Sequence, residues 1–323
     1  MRALRCNAYG PPSDAVVEDL PDPTPGPGEV LVDVAFGALN FPDVLIMANK
    51  YQITVPPPFT PGSEYSGVVA AVGEGVTKVA PGDRVMGSAM VGAFAEKVIS
   101  HEMGVTKLED SVDLKDAAAF SVAYKTSEHA LRSLGKTKEG DWVVILGASG
   151  GVGMAAIELA KLMGAKVVAC ASTDEKLAVC TERGADAVIN YTTEDLKVRI
   201  KEITGKGADV VIDPVGGAYS EQALRSTAWG GYFVVVGFAD GEIPKIPLNL
   251  MLLKGVNLTG FAIEGLTRNR PDWVERDTEE LMGWFNAGKI KPLVQAVFPL
   301  EKGADALVWM AERKAVGKVL IEV

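Results

Sequence analysis

Asp141-Trp142-Val143-Val144-Ile145-Leu146-Gly147-Ala148-Ser149-Gly150-Gly151-Val152-Gly153 is the stretch on which the fold turns. Its first half is a short, unbroken apolar run, as expected of a strand buried on both faces of a parallel sheet. The second half is a glycine loop that opens into the apolar helical pattern Val152–Met163. Glycine serves such a loop in three ways: a tight turn, close backbone approach to a pyrophosphate, and close helix–strand packing. The helix start adds unpaired N–H groups and the positive end of a dipole. The spacing Gly147-x-x-Gly150-x-x-Gly153 departs from the usual G-x-G-x-x-G. In this strand–loop–helix setting it predicts a dinucleotide site with Ser149, Gly150, Gly151 and Val152 at the phosphates. A sugar site, a flavin site and a plain structural turn are the rival readings.

Downstream the alternation continues. Strands are expected at Lys166–Ala171, Ala187–Ile189, Asp209–Asp213 and Tyr232–Val236, with helices at Asp174–Arg183, Glu194–Thr204 and Ala218–Ala228. That is a doubly wound α/β domain. Upstream, short Val-rich runs such as Glu29–Ala35 and Tyr65–Val72 lie between Gly/Pro turns, which predicts a β-rich domain. After residue 265 only the helices Asp277–Ala287 and Ala304–Arg313 and the strand Lys318–Val323 are expected. These pieces are too few for a third domain and are read as returning to the first.

The 323 residues suffice for two domains. A net charge of −10 with scattered Lys and Arg argues against nucleic-acid binding. No run approaches 18 apolar residues, so no membrane span is expected, and the N-terminus has no signal-like apolar core. Cys6, Cys170 and Cys180 are odd in number and far apart, which fits a cytoplasmic protein without disulfides.

NAD selectivity usually places an acid at the end of the second strand, and here that strand ends Cys170-Ala171-Ser172. Ser172 can donate to a 2′-phosphate and Lys176 can reach it as a point charge, which favours NADPH. Ser172-Thr173-Asp174-Glu175 also reads as a capping box, and Asp174 is a rival partner for the ribose. The only histidines, His101 and His129, have no second His or Cys at ligand spacing, so no metal site is expected. The chemistry then falls to the cofactor, with the protein supplying position and hydrogen bonds.

Several motifs run the length of the chain: Ala38-Leu39-Asn40-Phe41-Pro42-Asp43, Pro61-Gly62-Ser63-Glu64-Tyr65-Ser66-Gly67, Pro81-Gly82-Asp83-Arg84-Val85, Asp213-Pro214-Val215-Gly216-Gly217 and Gly317-Lys318-Val319-Leu320. With the glycine loop they resemble the zinc-free quinone oxidoreductase branch of the medium-chain dehydrogenase/reductase superfamily, and within it the quinone oxidoreductase-like protein 2 group. The resemblance implies an α/β chain: a GroES-like β-rich catalytic domain, residues 1–122 and 265–323, and an inserted Rossmann doubly wound parallel-sheet domain, residues 123–264. It implies NADPH as cofactor and a quinone or other α,β-unsaturated carbonyl as acceptor, met in an interdomain cleft. Zinc-dependent relatives carry a Cys where this chain has Asn40 and a His where it has Ser63.

Carried over by position, Asn40 and Tyr51 border the nicotinamide and acceptor, and Thr126 bonds the cofactor near the domain junction. Ser172, Lys176 and Tyr191 hold the adenosine end. The backbone at Val236-Gly237-Phe238 passes the nicotinamide, and Arg313 or Lys318 closes the site. Glu128 stands where relatives often carry Tyr, which implies a different pocket polarity. Asn40, Tyr51 and Thr126 are the catalytic candidates, polarising the acceptor oxygen as charge develops. An enoyl-thioester reductase and a non-catalytic NADPH-binding sensor are the alternatives. The apolar stretch Val256–Phe261 predicts an exposed strand edge, and with the resemblance a homodimer.

Overall fold

The computed structural model describes residues 1–323, the Glu264 side chain excepted. The chain divides into two compact units, Met1–Val122 with Lys291–Val323, and Ala123–Ile290.

In the first unit, strands β1 (Arg2–Arg5) and β2 (Val16–Asp19) form an antiparallel pair. The larger sheet is built from β3 (Glu29–Ala38), β4 (Glu64–Val72), β5 (Arg84–Ser88), β6 (Lys97–His101) and β7 (Val105–Lys107). The alternation of β3 sends Val30, Val32 and Val34 into the core, where they meet Tyr65, Val85, Phe94 and Val98. A bulge interrupts the β3–β4 pairing between Val34 and Phe36, and the ladder then resumes as far as Ala38 opposite Glu64. This register sets Glu64 beside the segment that carries Asn40.

The second unit holds β8 (Trp142–Leu146), β9 (Lys166–Ala171), β10 (Ala187–Asn190), β11 (Ala208–Asp213), β12 (Thr227–Val235) and β13 (Asn257–Gly260). All pair in parallel, in the order β10-β9-β8-β11-β12-β13. The order reverses between β9 and β11, on either side of β8, and ligands of open α/β sheets bind at such a switch point. Residues Val143–Leu146 and Val167–Cys170 are fully buried, as their unbroken apolar sequence requires.

Strands β14 (Val294–Pro299) and β15 (Lys318–Glu322) complete the first unit's sheet, with β15 antiparallel to β3. The return to the first unit thus falls at Lys291, not at residue 265. The helix expected at Asp277–Ala287 starts earlier, at Pro271, a residue whose fixed φ and missing N–H suit a first helical position. It belongs to the second unit through polar contacts with the π-type turn His129–Leu134. Arg276 donates to Ser133 Oγ at 2.9 Å, and Arg132 pairs with Glu280 at 2.8 Å. Strand β12 likewise begins at Thr227, inside the expected helix Ala218–Ala228, because Thr227 already pairs with Ala208. Among the described residues no helix is long and apolar enough to cross a membrane.

Candidate active site

The glycine loop leaves β8 through Gly147 at φ +56°, a left-handed conformation suited to glycine. Gly150 caps helix Gly151–Leu162 by position only, and no side chain bonds the first-turn N–H groups. Those donors therefore face outward from the C-terminal end of the sheet's first strand. A Cβ on Gly153 would lie 2.5 Å from the Cα and O of Ala148, so the helix can approach the loop this closely only with glycine there. A Cβ on Gly150 would meet only Gly147 O, at 3.5 Å, which leaves its outer side open. A backbone cradle with open space before it and a bare helix N-terminus behind fits a dinucleotide pyrophosphate. Ser149, 6 % exposed, sits inside the loop.

A residue that no sequence signal marked steadies this cradle. Ser127, fully buried in helix Ser121–Glu128, donates its hydroxyl to Val152 O at 2.8 Å. The bond fixes the preceding residue, the buried Thr126, relative to the first turn of the phosphate helix. A mid-helix Ser has no distinctive pattern, and only the fold shows its partner.

Ser172 and Lys176 are half-buried at the tip of β9 and in the first turn of helix Asp174–Glu182. The cap of that helix is Thr173, whose hydroxyl accepts from Lys176 N at 3.3 Å, so Ser172 is released from the capping role expected of it. Asp174, the rival for the ribose, accepts from Asn190 Nδ2 at 2.8 Å. Tyr191 follows β10 and its ring lies 4.2 Å from that of Tyr219, forming an aromatic wall. Val236 and Phe238 continue from the end of β12, with Val236 N bonded to Asp213 O at 2.8 Å.

The first unit brings together residues far apart in sequence. Lys318 Nζ, 4 % exposed, donates to Leu39 O at 3.0 Å, Asn40 Oδ1 at 2.7 Å and Glu64 Oε2 at 2.8 Å. All three ammonium donors are thereby used inside the fold, so Lys318 does not reach outward as the closing residue expected of it. Glu64, fully buried, accepts from Asn40 Nδ2 at 3.1 Å and, through its other oxygen, from Val122 N at 2.7 Å. Asn40 is thus held by both ends of its amide, and Ser63 Oγ lies 3.5 Å from its Nδ2. Tyr51 packs part-buried against the first unit's core, and Arg313 is exposed in a left-handed turn at φ +58°.

Glu128 does not face a pocket. It is fully buried and hydrogen-bonded to Arg132, whose second partner is Glu280. Burial pushes its carboxyl up to about 7, against the pull of Arg132. The departure from the relatives' Tyr is therefore structural, fastening helix Pro271–Asn286. Next to it His129 is packed between Phe261 and Trp273, at ring distances of 4.7 and 5.5 Å. His101 is exposed, and its Nδ1 accepts from Met103 N. Among the described residues no group of three His, Cys, Asp or Glu side chains stands ready to hold a metal ion.

Residues 26–110 match the family model of the alcohol dehydrogenase GroES-like domain, and residues 151–282 that of the zinc-binding dehydrogenases. A quinone oxidoreductase-like protein 2 homolog of Nematostella vectensis is 38% identical over 99% of this chain and 88% of its own length. The chain belongs to the medium-chain dehydrogenase/reductase superfamily. It is an oxidoreductase of that superfamily, with a GroES-like unit and a nucleotide-binding parallel sheet. Among superfamily members of known structure, the Escherichia coli quinone oxidoreductase complexed with NADPH superposes with a TM-score of 0.93 at 28% identity, covering 100% of both chains. The CurK enoyl reductase, also 28% identical, superposes with a TM-score of 0.90 over 99% of this chain and 98% of its own.

Proposed function

We propose that this chain reduces quinones or other α,β-unsaturated carbonyls with NADPH, by direct hydride transfer and without a metal. The observation that carries the reading is the uncapped, glycine-walled N-terminus of helix Gly151–Leu162 at the sheet's switch point. The bound dinucleotide supplies the hydride. Around it the phosphates fall to Ser149, Gly150, Gly151 and Val152, and Thr126 orients the cofactor. Ser172, Lys176 and Tyr191 receive the 2′-phosphate, a role favoured by the occupation of Thr173 in capping and of Asp174 with Asn190. The backbone of Val236 and Phe238 borders the nicotinamide, and Arg313 closes the site. Asn40 and Tyr51 shape the acceptor side. Asn40, spent on Lys318 and Glu64, acts there by holding its neighbours in place. The metal-free reading is supported by that same engagement, which turns the Asn40 amide oxygen to the Lys318 ammonium, and by a hydroxyl at Ser63. Holding donor and acceptor in a near-attack geometry is worth about 7–11 kcal/mol.

Loss of NADPH absorbance against 1,4-benzoquinone, 9,10-phenanthrenequinone, a simple enone and crotonyl-CoA, each repeated with NADH, tests this. Turnover is expected with a quinone or the enone, and with NADPH over NADH. Lys176→Ala should raise KM for NADPH on the order of tenfold and leave that for NADH unchanged, since only the former has a 2′-phosphate to lose. Equal effects on both would remove Lys176 from cofactor selection. A rate confined to crotonyl-CoA would select the enoyl-thioester reading, which the likeness to an enoyl reductase favours. NADPH binding without any turnover would select the sensor reading.

A homodimer belongs to the same proposal. Strand β13 is the sheet's edge, and near it Trp229 and Leu252 are 83 % and 84 % exposed, with Leu248 and Leu253 also open. Exposed apolar side chains beside an unpaired edge suit a second copy of the same edge across a twofold axis. The double variant Trp229→Glu, Leu252→Glu should elute as a monomer where the wild type elutes as a dimer. A monomeric wild type would sink the dimer without touching the chemistry.

A further inference from the structure

Asp43 lies in the first turn of helix Phe41–Met47 and is 1 % exposed. One carboxyl oxygen, Oδ2, accepts from Asn40 N at 2.7 Å, which is all that capping the helix requires. The other, Oδ1, is buried with no hydrogen-bond partner. An orphaned polar atom of this kind is costly to bury, so its retention calls for a reason. The Ser63 hydroxyl stands beside this carboxyl, close enough to help pull its pKa down, and 3.5 Å from Asn40 Nδ2. Ser63 is only half-buried, whereas the acid beside it is sealed.

The charged groups facing Asp43 are Lys318, from β15, and Glu64, from β4. They are already paired with each other at 2.8 Å. Asp43 therefore has no counter-ion of its own. Burial dominates and pushes the carboxyl up to about 7, against the Asn40 backbone N–H, Lys318 and Ser63. A carboxyl in this state holds its proton up to neutral pH, as a general acid must.

We propose that Asp43 and Ser63 form a proton relay that completes the reduction: Ser63 Oγ–H protonates the acceptor oxygen and is itself reprotonated by the Asp43 carboxyl. The inference rests on the hydride-transfer reading above. The acceptor carbon gains a hydride with its electron pair, and the acceptor oxygen gains a proton as its new O–H bond forms. The Ser63 O–H bond that breaks is remade with the Asp43 proton. Asp43 is left as a carboxylate and recovers its proton from water, so each turnover takes up one proton. Ser63 is the catalytic residue and Asp43 the group that acts through it.

The test uses the full-length enzyme and its variants Ser63→Ala, Ser63→Thr and Asp43→Asn with the enone as acceptor. Asn at position 43 keeps an oxygen for the cap. The wild-type kcat should fall as pH rises through about 7, because the acid is lost. Ser63→Ala and Asp43→Asn should lower kcat by about 10²–10⁴-fold and abolish the solvent isotope effect, with NADPH affinity kept. Asp43→Asn should also remove the fall near neutral pH, and Ser63→Thr, which restores the hydroxyl, should recover most of the rate. Wild-type turnover in Ser63→Ala, or an unchanged pH profile in Asp43→Asn, would overturn the relay.

Carbon-13 NMR of labelled aspartate gives a readout independent of turnover. Asp43 should titrate near neutrality, and its midpoint should move upward in Ser63→Ala. A midpoint in the ordinary carboxylate range, or one indifferent to Ser63, sinks the relay. A wild type inert toward every acceptor sinks the hydride-transfer reading instead, and the titration still decides the Asp43–Ser63 pair.

Discussion

Replacing Lys318 with Met should lower the unfolding midpoint by roughly 10 °C, the largest loss expected from any single polar side chain of the first unit. The ammonium is 4 % exposed and its three donors end on Leu39 O, Asn40 Oδ1 and Glu64 Oε2. Removing one partner of a buried pair costs about 3–5 kcal/mol, chiefly because the other charge is left in a low dielectric without compensation. Here the abandoned charge is Glu64, which is fully buried and keeps only the Val122 N–H and the Asn40 amide. The pair itself need not be worth that much. Adding Glu64→Gln to Lys318→Met should therefore restore part of the lost stability, because the amide oxygen still accepts from Val122 N while no charge remains. A double mutant no better than Lys318→Met would place the cost in lost packing of the lysine stem instead. Asn40 would also lose its anchor, so kcat should fall together with stability.

The Asn40–Glu64–Lys318 cluster shows where sequence reading reaches its limit. Lys318 lies 278 residues from Asn40 in the chain, and the two meet only because β15 pairs with β3 in a particular register. Carried over by resemblance, Lys318 reads as a group that closes a ligand site. In the fold its donors are all taken from within. Glu128 shows the same limit from the other side. Its identity is readable as a departure from relatives, but its partner Arg132 and the burial that accompanies it come from the packing of helix Pro271–Asn286. That helix is itself hard to assign from sequence, since weakening βα alternation looks like the end of a domain. Its true allegiance shows in contacts such as Arg276–Ser133 and Arg132–Glu280, made by polar residues that leave no periodic trace.

The nucleotide-binding half is legible for the opposite reason. A strand buried on both faces must be apolar throughout, and Val143–Leu146 and Val167–Cys170 are so in sequence and in place. Each turn between them is short, so the information sits within a few residues of where it is used. The glycine loop is the sharpest case, because at Gly147 and Gly153 the geometry constrains the backbone itself and only glycine satisfies it.

Two glycines of that loop should consequently respond to alanine in different ways. At Gly153 the added Cβ would stand 2.5 Å from Ala148 Cα and O and 2.6 Å from its carbonyl carbon, all backbone atoms that cannot rotate aside. Helix Gly151–Leu162 must then move off the loop, and overpacking of this kind costs about 1–3 kcal/mol or more. At Gly150 the backbone has φ −77°, open to any residue, and the Cβ would meet only Gly147 O at an ordinary 3.5 Å. Gly153→Ala should thus lower both the unfolding midpoint and NADPH affinity. Gly150→Ala should leave the midpoint near that of the wild type and weaken NADPH on the order of tenfold or more, because its methyl enters the space through which the phosphates approach the bare N–H groups. Differential scanning calorimetry and NADPH fluorescence titration on the same samples separate the two. Should Gly150→Ala bind NADPH as the wild type does, the phosphates lie elsewhere, and the loop's glycines serve only to seat the helix against the strand.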